Sequence, residues 1–266
     1  MNKVVLITGA SSGIGKITAE YLVQKGFTVY GSSRNPEYNN LTFKCVSLDL
    51  NKEETIADAV RTIIQKEGRI DILVNNAGTG ITGSIEETPN TEIRKSFETN
   101  FFGTIAVMKA VLPQMRKQRS GLIINVTSIA GYMGLPFRGI YCANKGALER
   151  VTESLRMEVK QFGVNVVSIA PGDFATNIAA GRYHTPVFEE SVYKENYQKN
   201  LELMDVHVKK GSDPIEIAHQ VYKIIQNPNP KIHYKVGGFL DKISIILKRI
   251  LPDKIYEYLV MRNYGM

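Results

Sequence analysis

Cysteine is nearly absent: the 266 residues hold two, Cys45 and Cys142, far apart in the chain. Two isolated thiols exclude a disulfide framework and a cysteine metal cluster, and they suit a reducing compartment, so a cytoplasmic location is expected. Histidine is scarce too. His184, His207, His219 and His233 are scattered without metal-site spacing, and no metal ligand is assigned. No apolar run reaches the roughly 18 residues that would cross a bilayer, and the run Val4 to Ile7 is too short for a secretory core. The formal charge is +7, yet no nucleic-acid-binding motif accompanies it. A small anionic partner is the simpler explanation of that excess. Internal repeats and low-complexity tracts are missing.

What is present is an alternation of short apolar runs with helical periodicity. Strands are predicted at Val4–Thr8, Phe27–Gly31, Phe43–Leu48, Ile70–Val74, Leu122–Val126, Val164–Ala170 and Ile232–Val236. Helices are predicted between them, with Gly26, Gly68 and Gly163 placed as stops and with Thr91–Gln118 and Tyr141–Phe162 as the longest. Strands alternating with helices imply an α/β fold: a doubly wound parallel sheet of the Rossmann type, one domain over 1–266 with helices on both faces. Ligands then bind at the carboxyl ends of the strands. Two segments break the rhythm, 177–212 and 239–266.

The first strand runs into Thr8-Gly9-Ala10-Ser11-Ser12-Gly13-Ile14-Gly15 and a helix begins there. Glycines permit a tight turn and close approach of a pyrophosphate, and the free N–H groups of a helix start attract its charge. Further on, Tyr141 and Lys145 stand four apart on one helical face. A free tyrosine titrates near 10, and an adjacent ammonium favours the phenolate, which suits general acid–base work at neutral pH.

This glycine loop resembles the cofactor loop of the short-chain dehydrogenase/reductase family, and further matches follow in family order. They are Asp49-Leu50 after strand three, Asn75-Asn76-Ala77-Gly78 after strand four, Asn100 in ETNFFG, Ser128 after strand five, the YxxxK pair Tyr141 and Lys145, and Pro171-Gly172 with Thr176 after strand six. The resemblance implies a hydride transfer between a nicotinamide cofactor and a carbonyl/alcohol pair. Under it Ser128 bonds the substrate oxygen, Tyr141 gives or takes the proton, Lys145 tunes Tyr141 and holds the nicotinamide ribose, and Asn100 supports a water leading to Lys145. It further implies that Gly9, Ser11, Ser12, Gly13, Ile14 and Gly15 hold the phosphates. Asp49 and Leu50 would meet the adenine, and Asn76, Ala77, Gly78, Pro171, Gly172 and Thr176 the rest of the cofactor. A homodimer or homotetramer through the two long helices is implied as well.

NAD sites usually carry a carboxylate at the end of strand two. Gly31-Ser32-Ser33-Arg34 has none, and Arg34, aided by Ser12, suits a 2′-phosphate. NADP(H) is therefore expected, with NAD(H) as the alternative through Glu37. Residues 177–212 are read as a substrate lid, whose Tyr183, Tyr193 and Tyr197 either line a pocket or pack the loop. In 239–266, Leu240, Ile243, Leu247, Ile250 and Leu251 share a helical face. Such a face covers a core or an interface, with peripheral membrane contact as the other reading. The expected substrate is a small ketone or secondary alcohol, apolar and steroid-, retinoid- or acyl-like. The alternatives are an NAD-dependent alcohol or polyol dehydrogenase and a non-catalytic dinucleotide sensor.

Overall fold

A computed structural model of the chain describes residues 2–35, 41–174, 181–209 and 211–266. Glu37 and Thr176 lie outside the described residues, as does the side chain of His207. The first half runs β1 (Val4–Ile7), α1 (Gly13–Gln24), β2 (Thr28–Ser33), β3 (Lys44–Ser47), α2 (Glu53–Glu67), β4 (Ile72–Asn75) and β5 (Ile81–Thr82). Next come α3 (Asn90–Phe97), α4 (Gly103–Gln118), β6 (Gly121–Val126), α5 (Gly139–Val159) and β7 (Val164–Pro171). The remainder is β8 (Tyr183–His184), α6 (Lys194–Lys209), α7 (Ile215–Gln226), β9 (His233–Val236), α8 (Phe239–Ile250) and α9 (Asp253–Asn263).

Seven strands form one parallel sheet in the order β3-β2-β1-β4-β6-β7-β9. Alternate residues of β1 feed opposite faces, as the two-residue period of a strand requires. Val4 and Leu6 join Ile56, Val60, Val107, Val111 and Leu148 under α2, α4 and α5. Val5 and Ile7 join Ala19, Leu22, Ile217, Val221 and Ile224 under α1 and α7. With both faces covered, β1 is buried throughout. The chain moves outward in one direction from β1 to β3 and in the other from β4 to β9. The crevice for a ligand therefore opens at the carboxyl ends of β1 and β4.

Three differences from the sequence expectations bear on the site. The helix expected over 91–118 runs without a gap from Asn90 to Gln118, but it carries a wide π-turn at Glu98–Phe102 between α3 and α4. Gly103, just past it, lies so close to the sheet that a Cβ there would come 2.5 Å from the Leu50 carbonyl oxygen. The segment 177–212 is not featureless but holds β8 and α6. β8 pairs in parallel with β5 through Tyr183 N–H to the Gly80 carbonyl and Thr185 N–H to the Thr82 carbonyl, each 2.9 Å. Two-residue strands are too short for periodicity to reveal. Last, α8 buries only Ile245, which packs with Met133 and Tyr256, whereas Leu240 is 77% and Ile250 68% exposed. The apolar stripe expected on one face is therefore split: Ile243, Leu247 and Leu251 are partly buried, whereas Leu240 and Ile250 are exposed.

Candidate active site

Thr8 and Asn76 clasp the ends of β1 and β4. The Thr8 hydroxyl accepts from the Asn76 and Ala77 N–H groups at 3.0 Å, and the Asn76 amide donates to the Thr8 and Gly9 carbonyls at 3.0 and 3.1 Å. Between them the loop turns through Gly9 at φ +67°, where a Cβ would lie 2.9 Å from Ala77. α1 then starts at Ser12, whose hydroxyl caps nothing, and its first turn carries no acidic side chain. Its N–H groups are thus left to an anion.

A groove of about 360 Å³ follows this loop. Gly9, Ser11, Ser12, Gly13 and Ile14 form its floor, Asp49 and Leu50 one wall, and Asn76, Ala77 and Gly78 the other. Gly15 is not on the groove; it lets α1 pack directly against the Gly9 carbonyl and Asn76. At the far end stand Arg34, exposed, and Ser32, whose buried hydroxyl has no partner. An uncapped helix start, close-packed glycines, an exposed cation and a hydroxyl without a partner among the described residues together fit a phosphorylated dinucleotide. Ser32 was not picked out from sequence, since nothing in its local pattern marks an unpaired side chain.

The groove continues into a cleft of about 100 Å³ lined by Ser128, Tyr141, Lys145, Pro171 and Gly172, with Asn76 and Gly78 at the junction. Ser128 directly follows β6; its Oγ accepts from the Ala130 N–H at 3.2 Å and lies 3.5 Å from the Pro171 carbonyl oxygen. Lys145 is 5% exposed, donates to the Val126 carbonyl at 3.0 Å, and holds Nζ 5.9 Å from the centre of the Tyr141 ring. Asn100 sits in the π-turn behind Gly78. Its amide oxygen accepts from the Thr79 N–H at 2.9 Å and its amide nitrogen donates to the Thr79 carbonyl at 3.0 Å. A Cβ on Gly78 would come 2.7 Å from the Asn100 oxygen and 3.5 Å from Lys145 Nζ, so that glycine keeps the space between the two side chains open. π-turns recur at functional sites because the extra residue re-aims one side chain.

Two cations that the sequence reading missed flank Tyr141. Arg138 precedes it by three residues and stacks its guanidinium 5.4 Å from the ring centre. Burial pulls the Arg138 pKa down, but Tyr264, Tyr141 and Asp173 outweigh that and hold it above the ordinary value. Arg138 is the residue that immediately precedes α5, so no helical spacing marked it in the sequence. Arg182 reaches in from just before β8; burial first and Arg138 second lower its pKa, and its buried Nη1 has no hydrogen-bond partner among the described residues. The strained backbone of Phe137, at φ +54°, leads into Arg138. Its carbonyl accepts from the Gly83 N–H at 2.9 Å and its ring lies 5.2 Å from that of Tyr197. The lid tyrosines pack rather than line: Tyr197 is buried with its hydroxyl on the Thr82 carbonyl, and Tyr193 bonds Glu86.

One turn beyond Lys145, Glu149 is wholly buried. It accepts from the Thr127 and Ser168 hydroxyls and stands 3.0 Å from His233, whose other ring nitrogen is 3.0 Å from Glu153. Burial pushes the Glu149 carboxyl up, but the bonds from His233, Thr127 and Ser168 prevail and hold it below the usual range. Thr127 adjoins Ser128, so this network fixes the strand end that carries the serine.

On the other side of Ser128, Arg138, Gly172 and Asp173 a second cavity of about 490 Å³ opens. Its walls are mostly apolar: Met133 and Leu135 on one side, Ile243 and Leu247 from α8, Leu259 and Val260 from α9. α8 is anchored there by Asp241, which accepts from the Gly238 N–H at 3.0 Å and packs on Gly172. Among the described residues, no helix is long and apolar enough to cross a membrane.

Residues 3–186 match the short chain dehydrogenase family. The 3-ketodihydrosphingosine reductase of Bacteroides thetaiotaomicron is 37% identical over 265 residues, 99% of this chain and 98% of that protein. The crystal structure of a short-chain dehydrogenase from Streptomyces avermitilis is similar at TM-score 0.84 and 32% identity, over 97% of this chain and 95% of that one. The NADP-bound structure of ElxO is similar at TM-score 0.72 and 27% identity, over 89% of this chain and 97% of that one. With a family match across the sheet and its motifs and identity along nearly its whole length, the chain belongs to the short-chain dehydrogenase/reductase family of oxidoreductases.

Proposed function

We propose that the protein is an NADPH-dependent reductase of a ketone carried on a long-chain, apolar small molecule. The observation that carries this reading is the 490 Å³ apolar cavity that meets the cleft at Ser128, large enough for an extended hydrocarbon. The near-full-length likeness to a 3-ketodihydrosphingosine reductase supports it, and that ketone is the first substrate to test. When bound, the reduced nicotinamide supplies the hydride. Tyr141 donates its hydroxyl proton to the ketone oxygen, and Ser128 donates a hydrogen bond to the same oxygen. Lys145, held on the Val126 carbonyl, presents its charge to Tyr141. Asn100 fixes Thr79 and Gly78 beside Lys145 and borders the path by which a proton returns. Arg138 and Asp173, at the junction of cleft and cavity, meet the polar end of the substrate.

Leu247 lines the cavity but not the cleft. Leu247→Trp is expected to lower kcat/KM for a long-chain ketone at least tenfold, about the 1.4 kcal/mol that overpacking readily costs, while a short ketone is turned over as before. Equal effects on both chain lengths would remove the cavity from substrate binding.

NADP(H) is assigned because Arg34, Ser32 and Ser12 converge at the groove's end, and because ElxO, 27% identical, has been seen with NADP bound. Arg34→Ala is expected to weaken NADPH binding about 10- to 100-fold, the worth of a charge-assisted phosphate contact, with little change for NADH. Calorimetric titration with both cofactors checks this, and matched losses would refute the 2′-phosphate contact. The same reading places the enzyme in the cytoplasm as a homodimer or homotetramer through α4 and α5, near which Phe102 (52%) and Met157 (73%) lie exposed. A single-subunit mass by light scattering would remove the oligomer.

A further inference from the structure

We propose that α8 and α9 seat the protein on an anionic lipid bilayer, with the apolar cavity opening toward the lipid. Phe239, Ile246 and Ile250 follow one another at spacings of seven and four and so form a single stripe along α8. Phe239 is 76%, Ile246 51% and Ile250 68% exposed, although a helix this apolar ordinarily turns such a stripe inward. α9 adds Ile255, Tyr258 and Met261 at the surface. Contiguous exposed apolar side chains of this extent mark a surface that meets something.

The charges around the patch select the partner. Lys242 and Arg249 flank the α8 stripe, and Lys254 and Arg262 stand among the exposed side chains of α9. Of the nearby carboxylates, Asp253 is engaged by Lys248 at 2.9 Å and Asp241 by the Gly238 N–H at 3.0 Å. Glu257 is the one other acidic residue on these helices. Apolar side chains on one face with lysine and arginine beside them are the signature of a helix lying in the headgroup region of an anionic membrane. A second copy of the chain fits less well, because a two-fold axis through the patch would set these cations against one another, and interface centres are poor in charge.

The same helices explain why the seat lies here. Leu240, Ile243 and Leu247 of α8 and Leu259 and Val260 of α9 wall the cavity that ends at Ser128, while Phe239, Ile246 and Ile250 face outward. A hydrocarbon chain can pass from bilayer to cavity without crossing water. The docking stands on the surface itself; its purpose rests on the substrate reading above.

The test is co-sedimentation of the full chain with phosphatidylcholine vesicles, with and without phosphatidylglycerol. Binding is expected to be at least about tenfold stronger with phosphatidylglycerol and to fall as salt screens the cations. The variant Phe239→Ser/Ile246→Ser/Ile250→Ser is expected to lose vesicle binding while keeping its thermal unfolding and its NADPH binding. Wild-type protein that ignores both vesicles, or a triple variant that still pellets, would overturn the proposal. So would a stripe whose replacement converts a dimer to a monomer by light scattering, with no vesicle binding by the wild type. Vesicle binding without turnover of long-chain ketones would leave the docking intact and remove the substrate reading instead.

Discussion

Tyr141→Phe is expected to lower turnover about 10²- to 10⁴-fold, the range that a positioned general acid contributes, with NADPH affinity close to wild type. The substitution removes one oxygen and leaves the ring against the Arg138 guanidinium and the Lys145 side chain, so the cleft keeps its shape. Under the proposed mechanism Ser128 still bonds the substrate oxygen, with one Oγ lone pair already accepting from the Ala130 N–H. Single-turnover measurement with saturating NADPH separates the chemical step from binding. A rate within a few fold of wild type would take Tyr141 out of the proton transfer.

Glu149→Ala is expected to be the most damaging change outside the cleft. It strips the partner from the buried Thr127 and Ser168 hydroxyls and from the partly buried His233. Breaking a buried charge network costs about 3–5 kcal/mol, which at this chain length is a fall in Tm of roughly 10 °C. Calorimetry measures it, and a Tm shift near zero would show the network to be dispensable. The sign of the pH effect follows from the direction of the Glu149 shift. Its folded pKa is below the unfolded one, so its contribution is complete above the ordinary carboxylate range. That contribution is lost as pH falls through the lower, folded value. Thr127 precedes Ser128, so residual folded protein is also expected to turn over more slowly.

The parts of this molecule that the sequence made legible are those in which one residue type answers a local demand. Gly9 and Gly13 sit at positive φ, Gly68 and Gly163 end helices in the left-handed region, and Asn76 follows a strand end it clasps. Tyr141 and Lys145 share a helix face and a cleft because four residues make one turn. What stayed hidden depends on neighbours distant in the chain. The π-turn at Asn100 departs from helical period by one residue and is held by Thr79, some twenty positions away. Arg182 enters the cleft from just before β8, so only folding brings it to Tyr141. The stripe on α8 was visible as amphipathic, but periodicity states that two faces differ and not which one meets the protein. Leu247 and Ile250, read from sequence as one face, part company in the fold: Leu247 lines the cavity and Ile250 lies exposed.

The tie between β5 and β8 is far shorter than the pairings of the central sheet. β5 and β8 share two residue pairs, backed by the Tyr197 hydroxyl on the Thr82 carbonyl, the Thr88–Thr185 hydroxyl contact and Tyr193 on Glu86, whereas β6 and β7 are zipped over six residue pairs. Releasing that latch is a local opening far below the free energy of global unfolding. An opening confined to that pair is expected to leave the seven-stranded sheet, and the register that aligns Ser128 with Pro171, intact.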